Sequence, residues 1–93
     1  MNTIINTPIK DLNVVKIFKS DSTETLLITL EKGALFPTHT SPKSTFLVVL
    51  EGNIDFHINS QIFNLSEQQS YRFEKNLEHY VTANKNAKFL IIR

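Results

Sequence analysis

Three histidines, His39, His57 and His79, carry the only side chains in this 93-residue sequence that titrate near neutrality, and there is no cysteine. His39 lies in the stretch 33–52, which opens at Gly33, passes Pro37, Ser41 and Pro42, runs into Phe46-Leu47-Val48-Val49-Leu50 and stops at Gly52-Asn53. Gly and Pro mark loops, and a short apolar run reads as a buried strand. The stretch is therefore expected to be a loop that delivers His39 to the mouth of a strand. His39, Ser41, Thr45, Leu47 and Val49 share parity and so line one face of an extended backbone. Imidazoles and hydroxyls converging on an apolar wall suit recognition of a small polar molecule, and imidazole also suits acid–base chemistry. Imidazole is also a ligand for divalent transition metals. Neutral hydroxyls such as those of Ser41 and Thr45 are poor ligands, so a tight site needs a further protein ligand.

The elements that must position these groups are strands. Residues 13–20 are strand-like and end at Asp21-Ser22. Residues 23–31 follow, with Leu26, Ile28 and Leu30 forming one apolar face before Lys32-Gly33. Ile54, Phe56 and Ile58 alternate with Asp55, His57 and Asn59, the period of a strand with one buried face. Asn59-Ser60 turns the chain into a returning strand, 61–65, and residues 66–69 make a polar connection to a strand at 70–74. Lys75-Asn76-Leu77 is a turn with Asn76 in the left-handed region. His79–Ala83 and Ala87–Ile92 are the last pair. Some nine short strands without a helix-length pattern, with alanine only at Ala34, Ala83 and Ala87, define an all-β barrel or sandwich forming one domain over 1–93. Residues 1–9 form an arm ending near Pro8.

The stretch 33–52 resembles the first motif of the cupin superfamily: a glycine, five residues, a histidine, one residue, a second histidine, three or four residues, a glutamate, six residues and a glycine. Gly33, His39 and Gly52 match; Ser41 stands at the second histidine and Thr45 at the glutamate. Aligning His79 with the histidine of the second motif puts Gln68 and Asn76 at its glycines, Glu74 at its proline and Ala83 at its asparagine. The resemblance, over about residues 25–93, implies a double-stranded β-helix, a jelly-roll barrel with the motif residues pointing into one open end. It further implies a metal site that is degenerate here, and homodimerisation through sheet faces or through exchange of the arm, 1–9.

Around this core the expected pocket comprises His39, Ser41, Thr45 and His79, with Lys43 and Arg72 as groups that could clamp an anion. Phe36, Phe46, Tyr71 and Phe73 could supply aromatic walls. His57, opposite in parity to Ile54, Phe56 and Ile58, is expected to face solvent or a partner sheet, and Glu74 to be solvated. The expected role is binding of a small polar or anionic molecule without a tightly held metal. Two alternatives stand beside it: a metal-dependent isomerase or dioxygenase using His39 and His79, and a structural or protein-interaction module. A formal charge of +1 with scattered basic residues argues against nucleic acid. The longest apolar run is too short to span a bilayer as a helix, and the first residues lack a basic-then-apolar pattern, so a cytoplasmic protein is expected.

Overall fold

The structure, a computed structural model, describes residues 2–93. Nine strands occur among them: β1 (Leu12–Lys19), β2 (Glu24–Leu30), β3 (Leu35–His39), β4 (Thr45–Glu51), β5 (Asn53–Ile58), β6 (Gln61–Ser66), β7 (Ser70–Phe73), β8 (His79–Ala83) and β9 (Ala87–Ile92). They form two facing antiparallel sheets, in the orders β1-β2-β9-β4-β7 and β3-β8-β5-β6. Chain neighbours such as β3 and β4 therefore lie in different sheets, as a jelly roll requires.

The alternation explains which faces meet. Leu26, Ile28 and Leu30 of β2, Leu47 and Val49 of β4, Phe89 and Ile91 of β9, Ile54, Phe56 and Ile58 of β5, and Val81 of β8 are all buried and form one core between the sheets. A one-residue slip would turn any of these sets to the opposite face, so the hydrophobic pattern specifies register. Turn chemistry fixes the connections. Asn59 and Ser60 both have positive φ, at 51° and 60°, and close β5 onto β6 as a two-residue hairpin with Ile58 opposite Gln61. Gly52 has φ +87°, and a Cβ there would run into the Asn86 carbonyl, so glycine is required by both conformation and space. Gln68 and Asn76, which stand where the resemblance calls for glycine, have φ of 69° and 65°. The backbone demand thus survives the change of residue, at a steric cost that Asn bears more easily than Gln.

Two local expectations are corrected. Residues 35–39 are a strand rather than a loop: β3 is the edge of its sheet, where Pro37 needs no ladder partner, and its register shifts between Phe36 and His39. The arm contains a single helical turn, α1 (Thr3–Asn6), lying on the outer face of the five-stranded sheet. Lys88, buried on that face, donates from Nζ to the Ile4 and Ile5 carbonyls at 2.6 and 3.2 Å, and the Thr29 hydroxyl donates to Pro8 at 3.1 Å. These bonds satisfy polar groups that would be costly to bury unpaired. None of the helices among the described residues is long and apolar enough to cross a membrane.

Candidate functional site

His39 ends β3 and His79 begins β8, and the two are ladder partners across the four-stranded sheet. Their rings meet edge to face with centroids 4.2 Å apart. Each Nδ1 lies on the backbone carbonyl two residues earlier, His39 on Pro37 at 2.6 Å and His79 on Leu77 at 2.9 Å. A carbonyl only accepts, so in each neutral ring Nδ1 carries the proton and Nε2 carries the lone pair. Among the described residues no buried side-chain nitrogen or oxygen lacks a partner, and neither Nε2 has one. Both Nε2 atoms therefore reach solvent. Burial holds the His79 imidazole below its ordinary 6.5; the Leu77 carbonyl opposes that shift, and the charges of His39 and Arg93 add to it. Burial thus favours the neutral form of His79, which presents Nε2 as an acceptor.

Ser41 and Thr45 are brought to the same end and are both buried. Their hydroxyls are engaged elsewhere. Thr45 Oγ1 stands 3.1 Å from Ser41 Oγ and 3.0 Å from the Lys43 carbonyl, and the Lys43 N–H donates to Ser41 Oγ at 3.4 Å. The Asn76 N–H donates to the Ser41 carbonyl at 2.8 Å, tying this loop to the turn before β8. The hydroxyl pair thus braces the loop between β3 and β4. Around His79 the interior is filled by rings, with Phe73 at 4.6 Å and Phe56 at 5.5 Å, while Phe36 lies 4.4 Å from His39. Tyr71 packs on Phe63 at 4.6 Å. The site is the imidazole pair, with His39 half-buried and His79 buried behind it.

The remaining candidates lie apart from it. Lys43 is exposed, and its Nζ donates to the Ser22 carbonyl at 3.1 Å. Arg72 pairs in the ladder with Phe46 on the outer face of the five-stranded sheet, and its nearest carboxylate is Glu74, at 4.0 Å. An anion clamp from these two does not form at the imidazoles, because alternation turns Arg72 away from its inward neighbours Tyr71 and Phe73. Phe46 is likewise outside and 40% exposed, so it is no pocket wall. His57 faces outward as its parity requires, stacked on Tyr80 at 4.1 Å and 3.2 Å from the Thr82 hydroxyl. Glu74 is exposed and accepts from the Ser44 hydroxyl at 3.1 Å.

The donor set decides the fit of a metal. Two Nε2 atoms are suitably oriented, since pinning Nδ1 to a carbonyl is how proteins aim an imidazole at a metal. The other two motif positions offer hydroxyls already bonded to each other, and no cluster of three or more His, Cys, Asp or Glu side chains suited to a metal occurs among the described residues. These residues do not fit a tightly held ion.

The two sheets, their order and the position of the histidine pair define a double-stranded β-helix. The cupin domain family matches residues 26–93, and the chain belongs to that family. Its structure is similar to that of an RmlC-like cupin protein from Desulfovibrio desulfuricans, with a TM-score of 0.88 at 18% identity over 99% of this chain and 92% of that one. A cupin superfamily protein from Desulfitobacterium hafniense gives 0.84 at 15% identity, over 94% and 80% of the two chains. KdgF from a Halomonas species gives 0.81 at 10% identity, over 92% and 82%. At these identities the likeness is one of fold. No curated protein matches the sequence.

Proposed function

We propose that this cupin binds a small polar molecule at the rim of the barrel through the paired Nε2 atoms of His39 and His79, without a tightly held metal. The observation that carries the reading is the pinning of both Nδ1 atoms in two rings that touch, which leaves each Nε2 without a partner, His39 half-buried and His79 buried behind it. Of the polar or anionic ligands suggested by the sequence, such a pair favours those that donate hydrogen bonds, such as vicinal hydroxyls or a protonated acid. Ser41 and Thr45 act as the brace of the loop, and Lys43 and Arg72 contribute no direct contact. Proton transfer to or from a bound hydroxyl lies within the chemistry of a neutral imidazole. The test is an NMR titration of ring-labelled histidines with ethylene glycol, glycerol and lactic acid. Selective shifts of His39 and His79 at up to about 10 mM, within the range that a few hydrogen bonds supply, support the reading. Equal indifference of both rings to all three probes would refute it.

A homodimer is the second part of the proposal. The outer face of the five-stranded sheet carries a ladder row of Thr25, Ile92 and exposed Phe46, and beside it half-buried Leu90 and Val48, while Leu27 in that row is already fully buried. Exposed Phe18 extends the patch along β1. Apolar surface of this kind, on a domain too small to bury much of its own, suits a second copy of the chain. Sedimentation should give twice the monomer mass for the wild type and a monomer for Phe46→Asp. A monomeric wild type at micromolar concentration would exclude the dimer.

A further inference from the structure

The histidine end of the four-stranded sheet carries a groove of about 360 Å³, lined on the outer face by Thr38, His57, Ile62, Glu78 and Tyr80 and bordered by His79 of the imidazole pair. Its floor is a ladder row in which Tyr80 lies opposite His57 and His57 opposite Ile62. The Tyr80 and His57 rings are stacked face to face, 9° from parallel, so one Tyr80 face is covered by His57. Its other side lies toward β3, where the register shifts between Phe36 and His39 and Pro37 and Thr38 have no ladder partner. Tyr80 and Ile62 are exposed despite their size.

Charge selects the kind of occupant. The groove contains one carboxylate, Glu78, and no lysine or arginine. Glu78 is exposed and makes no ion pair among the described residues, whereas Glu24 and Glu74 each have a basic partner. An anion would meet the Glu78 carboxylate with no lysine or arginine to offset it. A planar cation would meet an aromatic face and a free carboxylate at adjacent positions. Guanidinium joins both requirements, because it stacks on tyrosine and forms a two-point bond with a carboxylate. Ammonium, strongly hydrated and not planar, uses the stack less well.

We propose that this groove is a binding site for a guanidinium group, stacked on Tyr80 and paired with Glu78. It adjoins the imidazole rim, since His79 borders both, but neither Tyr80 nor Glu78 takes part in the acceptor pair, and the ligand classes are opposite in hydrogen-bonding character. The guanidinium could belong to a free small molecule or to an arginine side chain of another protein. The experiment is an amide-resolved NMR titration of the full chain with agmatine, a pentapeptide Gly-Gly-Arg-Gly-Gly, butylamine and methyl glucoside. Agmatine and the peptide should shift the amides of Glu78, Tyr80 and Gln61, with butylamine weaker. Glu78→Gln and Tyr80→Leu should each weaken binding by roughly tenfold. Tighter binding of the peptide than of agmatine assigns the site to an arginine side chain, and equal binding to a free guanidine. His39, unlike His79, does not line the groove, so His39→Ala should leave these shifts unchanged while abolishing the diol response, and the two readings fail distinguishably. Unperturbed groove amides, butylamine binding as tightly as agmatine, methyl glucoside binding in its place, or full binding by both variants with wild-type spectra would overturn the proposal.

Discussion

Four side chains stand at the positions where the family motif places chemistry, and in this protein they divide into two pairs with opposite fates. His39 and His79 have their Nδ1 atoms fixed to backbone carbonyls and keep a free acceptor each. Ser41 and Thr45, at the same end of the barrel, spend their hydroxyls on each other and on the Lys43 backbone. The difference teaches that loss of a ligand position need not leave a hole. The hydroxyl pair has been absorbed into the structure that holds the loop, while the imidazole pair keeps its lone pairs at solvent.

The largest effect expected from this division is on stability. Thr45→Val should cost about 1–3 kcal/mol in chemical denaturation, because it strands the buried Ser41 hydroxyl, while leaving the histidine response to small diols intact. A stable variant that no longer responds would reverse the assignment of roles. Smaller per site is the cost of removing both hydroxyls: Ser41→Ala with Thr45→Val should be less destabilising than the sum of the singles, with a coupling of about 0.5–3 kcal/mol in a double-mutant cycle. Strict additivity would mean that the two hydroxyls do not act as a pair.

On the imidazole side the effect of pH has a definite sign. The folded-state pKa of His79 lies below its ordinary 6.5, so the unfolded chain binds the proton more readily than the folded one. Stability should be level above pH 6.5, fall as pH drops below it, and stop falling from this cause once the folded-state pKa has been passed. His79→Gln should flatten that part of the profile. The same slope in the variant would place its origin elsewhere. The smallest stability effect belongs to His39→Ala, within about 1 kcal/mol, since the ring is only half-buried. That variant should nevertheless lose the diol response at the remaining histidine.

Much of the fold was legible because it rests on local rules. Period-two alternation placed the inward faces of β2, β4 and β5, and turn chemistry placed Asn59-Ser60 and Asn76 in the left-handed region, where they lie. The strands His79–Ala83 and Ala87–Ile92 fall as read. Pro37 misled: a proline reads as a loop until one knows that its strand is an edge, and edge status is a property of the assembled sheet. The helical turn Thr3–Asn6 is too short to have a periodic signature, and Lys88 reaches its carbonyls from a position more than eighty residues away.

At the site, parity put His39, Ser41 and Thr45 on one face, whereas His39 and Thr45 lie in different sheets joined by the Ser41 loop, and parity carries no information on hydrogen bonding. Whether a hydroxyl is free or engaged depends on the loop backbone that meets it. Arg72 and Phe46 share an outward ladder row, and the strand at 70–74 could have shown this for Arg72 by its alternation with Tyr71 and Phe73. Tyr80 was missed as a surface group. Its alternation with His79 and Val81 set it outside, yet only the pairing of β5 with β8 stacks it on His57.

The central claim is that both imidazoles carry their proton on Nδ1 and offer Nε2 to a ligand. Long-range nitrogen–proton NMR of ring-labelled protein, at a pH above the titration of both rings, reads the tautomer of each histidine directly. The account predicts the Nδ1–H form for His39 and for His79. Finding the Nε2–H form at either ring would leave a donor where the account requires an acceptor, and would contradict it.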